Sequence, residues 1–399
     1  MSELRLALVL AMSVAIAPFA LDAYLPAFPQ MAAFLGVTVH DISLSVSVYI
    51  GALAIGQLTG GPLADRYGRQ VVMLVGLAIF AAASLFISQT KTLDQLLLLR
   101  AVQAFSGGWV VVCVPALVRD RVRGIQSAKL FSLIGLMVVA APALAPAIGG
   151  FLLEWQGWNS IFIFLFIYGV LVLAVLKLTV FSAPPPVQFR KADNHHAPLW
   201  RRYLRVLQTP TALQFIFLQA SVFSAMMLFV THASFIYQEH FSVTTGGFAA
   251  LFGANVVVMA VMMTLNRLLL SHFSPVAILR GAVALQGIGV LLLLCATQLL
   301  PVLWLFAPAM MLSIGAIGAI SPNAQAVYME NFSENGGTAA ALMGATQFGV
   351  AGLVSAASSL LPKSIEAITL AQAACVALAL LLAWWPCATK MPFNNDATL

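Results

Sequence analysis

The stretch "FALDAYLPAFP", residues 19–29, sets an aspartate inside an apolar run that reaches back nearly to the first residue. An ionised side chain deep in a bilayer costs at least a few kcal/mol. Asp22 therefore needs a partner, a proton or a function, and the rest of the chain decides which.

The 399-residue chain is 61% hydrophobic and only 8% charged, against roughly a quarter charged in ordinary soluble chains. Its mean hydropathy is +0.98. Twelve apolar runs, each long enough to cross ~30 Å of hydrocarbon as a helix, are predicted at 4–28, 41–63, 70–89, 94–117, 129–153, 159–181, 211–237, 246–268, 274–297, 301–325, 338–361 and 364–386. The first resembles a secretory signal in composition, but its apolar character continues past any cleavage site, so it reads as the first span. Cys113, Cys295, Cys375 and Cys387 have no metal-ligand spacing, and three of them lie in the apolar runs, so they read as small apolar residues rather than a disulfide framework. No metal or cofactor is expected.

The net charge of +6 is informative through its placement and does not point to nucleic acid. With a cytoplasmic N-terminus, the inner loops collect Arg66, Arg69, Arg119, Arg121, Arg123, Lys129, Arg190, Lys191, Arg201, Arg202, Arg205 and Arg267, while the outer loops hold Lys91 and Lys363. The asymmetry places both termini inside.

The longest polar stretch, 181–210, separates six segments from six. The expected organisation is an N-terminal six-helix bundle (1–181), a cytoplasmic linker (182–210) and a C-terminal six-helix bundle (211–399). In the linker, Trp200, Tyr203, Leu204 and Leu207 recur at helical spacing opposite Arg201, Arg202 and Arg205, the pattern of a short amphipathic helix on an anionic leaflet. His195 and His196 read as a solvated pair. Six plus six suggests an internal repeat; Asn266-Arg267 stands about half a chain from Asp65-Arg66 as a degraded copy.

Four motifs resemble those of the major facilitator superfamily. "GPLADRYGRQ" (61–70) is similar to its helix 2–3 loop signature, with Gly61, Leu63, Asp65, Arg66, Gly68 and Arg69 matching. "LLLLRAVQAFSGG" (96–108) resembles the helix 4 motif through Arg100 and Gln103, with Ala104 where glycine is usual. "APALAPAIGG" (141–150) resembles the helix 5 antiporter motif through Pro146, Gly149 and Gly150, with Ala145 in place of a glycine. "LDAYLPAFP" resembles the helix 1 signature of twelve-span drug:proton antiporters, in particular the Bcr/CflA branch. The resemblance implies an all-α membrane protein of twelve transmembrane helices, arranged as two six-helix bundles around a central cavity. It further implies that Gly61, Asp65, Arg66, Gly68 and Arg69 latch the outward-facing state, and that the helix 5 face packs on helix 8 across the halves.

From depth alone, a first helix ending near Pro26 to Pro29 puts Asp22 roughly 6–10 Å below the outer surface, and Arg100 about 9 Å below it, at 1.5 Å per residue. Intramembrane ionisable residues face the bundle interior and find partners, so both are expected to face a central cavity. Two readings stand: a structural ion pair between helices 1 and 4, or a proton site at Asp22. Proton carriage requires the pairing to loosen in one state, with Gln103, on the same helical face, taking over the guanidinium.

In helix 5, Ala141, Ala145 and Gly149 form a small-residue stripe suited to close packing, and Pro142 and Pro146 each remove a backbone hydrogen bond. Gly56-x-x-x-Gly60 and Ala345-x-x-x-Gly349 are candidates for the same interface between halves, or for ordinary packing. Candidate substrate contacts are Tyr49, Phe223, Met226, Met227, Asn255 and Gln347. His232, near the outer end of helix 7, can titrate near neutral pH.

These readings give a monomeric, proton-coupled antiporter of the bacterial inner membrane. It would export small amphipathic drugs by alternating access, which the resemblance implies to be bicyclomycin-like or chloramphenicol-like; the alternative cargo is an endogenous metabolite or siderophore. Its partners are protons, the small-molecule cargo and the bilayer. A nutrient symporter is disfavoured by the helix 5 motif. No nucleophile–base or metal-ligand cluster supports an enzyme, and no filter sequence supports a channel.

Overall fold

The structure is a computed structural model that describes residues 3–121, 125–182, 206–299, 301–329 and 336–386, together with Leu204 and Phe332. Among these, every regular element is helical. The first crossing is built from α1 (Glu3–Asp22), a 3-10 turn (Leu25–Ala27) and α2 (Phe28–Leu35). Then follow α3 (Val39–Tyr67), α4 (Arg69–Ile87), α5 (Leu93–Arg121), α6 (Ile125–Gln156) and α7 (Trp158–Val175). The second six crossings are α8 (Pro210–Ser234), α9 (Thr245–Leu269), α10 (Pro275–Leu299), α11 (Leu303–Met329), α12 (Gly336–Ser358) and α13 (Ile365–Ala383). Ten crossings are apolar over at least the length a bilayer requires; α6 and α12 complete the twelve. The amphipathic helix expected at 200–207 and the His195–His196 pair lie essentially outside the described residues.

The helices match the apolar runs to within a few residues, with one consequential exception. The first run does not form a single helix to Pro26. Its α-helix stops at Asp22, although the apolar span continues to Leu35. Proline lacks an N–H and disfavours helical backbone at the residue before it. Pro26 and Pro29 are instead accommodated in the first turns of the 3-10 segment and of α2, where the missing donor is harmless. The span thus runs on past Pro29 to Leu35, so more of it lies beyond Asp22 than a first helix ending near Pro26 to Pro29 would leave.

α3 starts on a capping box, in which the Thr38 hydroxyl accepts from the Asp41 N–H and the Asp41 carboxylate accepts from the Thr38 N–H. It ends at Gly68, whose φ of +88° turns the chain directly into α4, a conformation suited to glycine. Within the first six spans, α3 and α4 pack on α5, α1 on α6, and α4 on α7. Within the last six, α10 and α9 pack on α11, and α8 on α12 and α13. The two sets meet chiefly along α3 with α12 and α6 with α9.

At the end of the bundle away from the termini, side chains tie these sets together. Ser47 and Ser355 hydroxyls lie 2.6 Å apart, and Thr231 is also 2.6 Å from Ser355. His40 reaches the Ser359 carbonyl at 3.0 Å, Lys363 donates to Thr38 at 3.0 Å, and Gln238 donates to the Pro26 carbonyl at 3.1 Å. The His40 and His232 rings stack across the same seam, 5.5 Å between centroids. This end of the molecule is shut.

Candidate functional site: a carboxyl at a helix break

Because α1 stops at Asp22, its last carbonyls have no helical donors ahead of them. The final regular bond runs from Ala23 N–H to Phe19 O, at 3.0 Å. Arg100, from α5, supplies a donor to the next carbonyl: its Nη1 donates to Ala20 O at 3.0 Å. A cation at a helix C-terminus also meets the negative end of the helix dipole. Arg100 is wholly buried and Asp22 is 3% exposed.

The same Nη1 donates to Gln103 Oε1 at 2.6 Å, and Gln103 Nε2 donates to the Ser84 hydroxyl at 2.7 Å. Ser84 gives its own hydrogen to Phe80 O at 2.8 Å. Ser84 must therefore accept from Gln103, and this fixes the amide with its oxygen toward Arg100. Asp22 Oδ1, Arg100 Nε and Arg100 Nη2 are buried without hydrogen-bond partners. Arg100 is the charge that acts on the Asp22 carboxyl, but its Nη1 bonds go to an amide and a backbone carbonyl.

Two aromatic rings complete the guanidinium's surroundings. Its carbon lies 4.3 Å from the Tyr24 ring centre and 4.2 Å from that of Tyr49. Tyr49, expected among the substrate contacts, is fully buried against Arg100, with its hydroxyl donating to Ala17 O at 3.2 Å.

The helix 5 motif adjoins this break. α6 continues as one helix through Pro142 and Pro146. A Cβ on Gly149 would fall 1.7 Å from the Ala23 carbonyl oxygen, so only glycine lets α6 approach the end of α1. Gly150 instead faces Thr245 at the start of α9, with a methyl 3.3 Å from where its Cβ would be. Thus Gly149 of the stripe packs on α1, and the motif's contact with the eighth span is made by Gly150. Gly56 and Gly60 likewise pack within the first six spans, on Phe105, Trp109 and Val112 of α5; helical spacing marks a close contact without identifying its partner. The closest glycine contact between the halves joins Gly352 to Gly51, with a Cβ on Gly352 falling 2.8 Å from the Gly51 nitrogen.

Of the loop signature, Gly68 makes the α3–α4 turn and Arg69 donates to the Ala116 carbonyl at the end of α5. Arg66 lies over the Tyr67 ring at 5.2 Å. A Cβ on Gly61 would meet open space. The Asp65 side chain lies outside the described residues. Asn266, the degraded counterpart, is buried and accepts from Asn323 of α11 at 2.5 Å.

The remaining substrate candidates lie in the last six spans. Phe223 meets Phe348 edge-on at 4.9 Å, and Met226 is partly buried. Gln347 accepts from Gln219 at 3.3 Å, and Gln219 also donates to Ser321 at 2.9 Å. Asn255 bonds back to Leu251 O and keeps a buried unpaired oxygen. His232 is tied to Ser358 at 2.8 Å. Gln219 was not singled out from sequence, and Tyr24 entered only as the tyrosine of the helix 1 signature, without a role. Gln219, an amide in an apolar helix, carries the same signal that singled out Asp22; hydropathy and spacing do not distinguish the ring of Tyr24 from packing.

Twelve spans with a carboxyl and a guanidinium buried where the first helix breaks define a membrane transporter of the secondary type. The chain belongs to the Major Facilitator Superfamily, whose sequence model matches residues 10–356. It is 29% identical over 370 residues to the bicyclomycin resistance protein homolog of Haemophilus influenzae, covering 91% of each chain. It is 36% identical over 151 residues to a chloramphenicol resistance protein of Pseudomonas aeruginosa, covering 38% of this chain and 36% of that one. The fold superposes on the crystal structure of a D-xylose-proton symporter with a TM-score of 0.78, at 14% identity, over 96% and 97% of the two chains.

Proposed function

We propose that this transporter is a proton-coupled antiporter of the bacterial inner membrane that exports small amphipathic drugs of the bicyclomycin or chloramphenicol kind. Both termini face the cytoplasm, and the chain works as a monomer of two bundles, 1–181 and 211–399. The relatives named for resistance to these two antibiotics support the cargo. The observation that carries the coupling is the buried carboxyl of Asp22, unpaired at Oδ1, beside a guanidinium bonded to Ala20 and Gln103.

With the termini inside, the shut end faces outward, and Asp22 is closed off from the external solution. A guanidinium bonded to Gln103 leaves the carboxyl to carry a proton; one that swings onto Asp22 favours its release. Alternating access would exchange that proton for drug, with Asp65, Arg66 and Arg69 latching the opposite state. Each pH unit of gradient supplies about 1.4 kcal/mol, and 100 mV adds about 2.3 kcal/mol per net charge moved.

The test uses inverted membrane vesicles with an acid interior, challenged with bicyclomycin, chloramphenicol and a metabolite panel while lumenal pH is followed. Alkalinisation by a drug in wild type and none in Asp22→Asn is the expected result. Equal responses in both would make Asp22 a structural residue. A response to a metabolite alone would reassign the cargo.

A further inference from the structure

We infer that Tyr24 and Tyr49 are positioning residues that clamp the Arg100 guanidinium in its withdrawn place, and so set when Asp22 holds its proton. The inference rests on the reading of Asp22 as the proton carrier.

A buried guanidinium presents five N–H donors and two flat faces. The hydrogen bonds are concentrated on Nη1, and Nε and Nη2 have none. Hydrogen bonding alone therefore does not hold this cation. Its carbon lies over two rings, 4.3 and 4.2 Å from their centres, well inside the ~6 Å range of cation–π attraction. That attraction strengthens when the cation is removed from water, and Arg100 is fully buried.

The rings are themselves held in place, in a crosswise manner. Tyr24, just past the end of α1, bonds Ser45 of α3 at 2.7 Å; Ser45 gives its hydrogen to Ile42 O, so the phenol is the donor. Tyr49, on α3, donates to Ala17 O on α1 at 3.2 Å. Each hydroxyl is committed to the opposite helix, and each ring is left with a face for Arg100. Phe28 and Phe162 back the Tyr24 ring at 5.0 and 5.7 Å. The charged and titratable groups acting on one another here are Asp22, Arg100, Tyr24 and Tyr49. Weakening the rings would release the guanidinium toward the one carboxylate available.

The test keeps shape and removes only the ring's negative face. In purified protein in liposomes, position 24 or 49 carries phenylalanine and then its mono-, di- and trifluorinated analogues. The titration of Asp22 is read from the infrared band of its protonated carboxyl, identified by its disappearance in Asp22→Asn. Tyr24→Phe and Tyr49→Phe, which lose the hydroxyl bonds to Ser45 and Ala17, serve as the reference for their own fluorination series. The trifluorinated rings are expected to move the midpoint toward acid by about one pH unit, a tenfold change in proton affinity, stepwise with fluorine count. A midpoint unmoved across the series, with the Asp22 band present, overturns the clamp alone. Absence of an Asp22 band at every pH overturns the proton-carrier reading as well.

Discussion

Arg100 is fully buried, and its partners are an amide, a backbone carbonyl and two rings. Gln103 is the only side chain among them that accepts a hydrogen bond from it. Replacing Gln103 with leucine should therefore cost ~1.5–3 kcal/mol, the range for hydrogen bonds to charged groups, seen as a lower unfolding midpoint in detergent. Ser84→Ala, which removes an uncharged contact one step further out, should cost about 1 kcal/mol; equal losses would contradict the relay. Asp22 and Arg100 were legible in the sequence because a charge in an apolar run is conspicuous and helical rise gives its approximate depth. Gln103 followed from its spacing on the same helix. The tyrosines were not legible as a clamp, because a ring that stacks on a cation and a ring that fills a core look alike in sequence.

At the scale of helices, hydropathy located the spans, while the prolines in "LPAFP" decided where the first one breaks. Small-residue spacing was less informative: it marked Gly56, Gly60 and Gly149 as close contacts but did not distinguish a neighbour in the same half from one across the seam. Gly149→Ala places a methyl into the Ala23 carbonyl. It should destabilise by ~1–3 kcal/mol, as overpacking does, and abolish drug efflux in cells. Gly253→Ala on α9 meets open space and should be neutral or stabilising by up to about 1 kcal/mol through helix propensity. Efflux assays and melting curves of the two variants provide the comparison.

Across the whole molecule, the seam at the end away from the termini joins α3 to α12 and α8, through Ser47, Ser355 and Thr231. Two serine hydroxyls 2.6 Å apart place their Cβ atoms within reach of a disulfide. In a background with the four native cysteines replaced by alanine, Ser47→Cys with Ser355→Cys should cross-link on oxidation, stop efflux, and recover with reductant. Efflux that persists in the fully cross-linked protein would mean that this seam does not open during transport. The small-residue spacings offer α3 and α12 as candidates for the interface between halves, and Gly349 does face Ala54 across it, a Cβ there falling 3.9 Å from the Ala54 methyl. Ser47 and Ser355 were not legible beforehand, since nothing in a single sequence says which polar residues of distant segments meet.

Gly149 and Gly150 are consecutive, yet one abuts the end of α1 beside Asp22 and the other abuts Thr245 of the opposite half. Neighbouring residues point about 100° apart around a helix. A roll of α6 about its own axis therefore disturbs both contacts at once. The residue that would bind the proton and the surface on which the halves would swing thus share an axle, and motion at either reaches the other across one peptide bond.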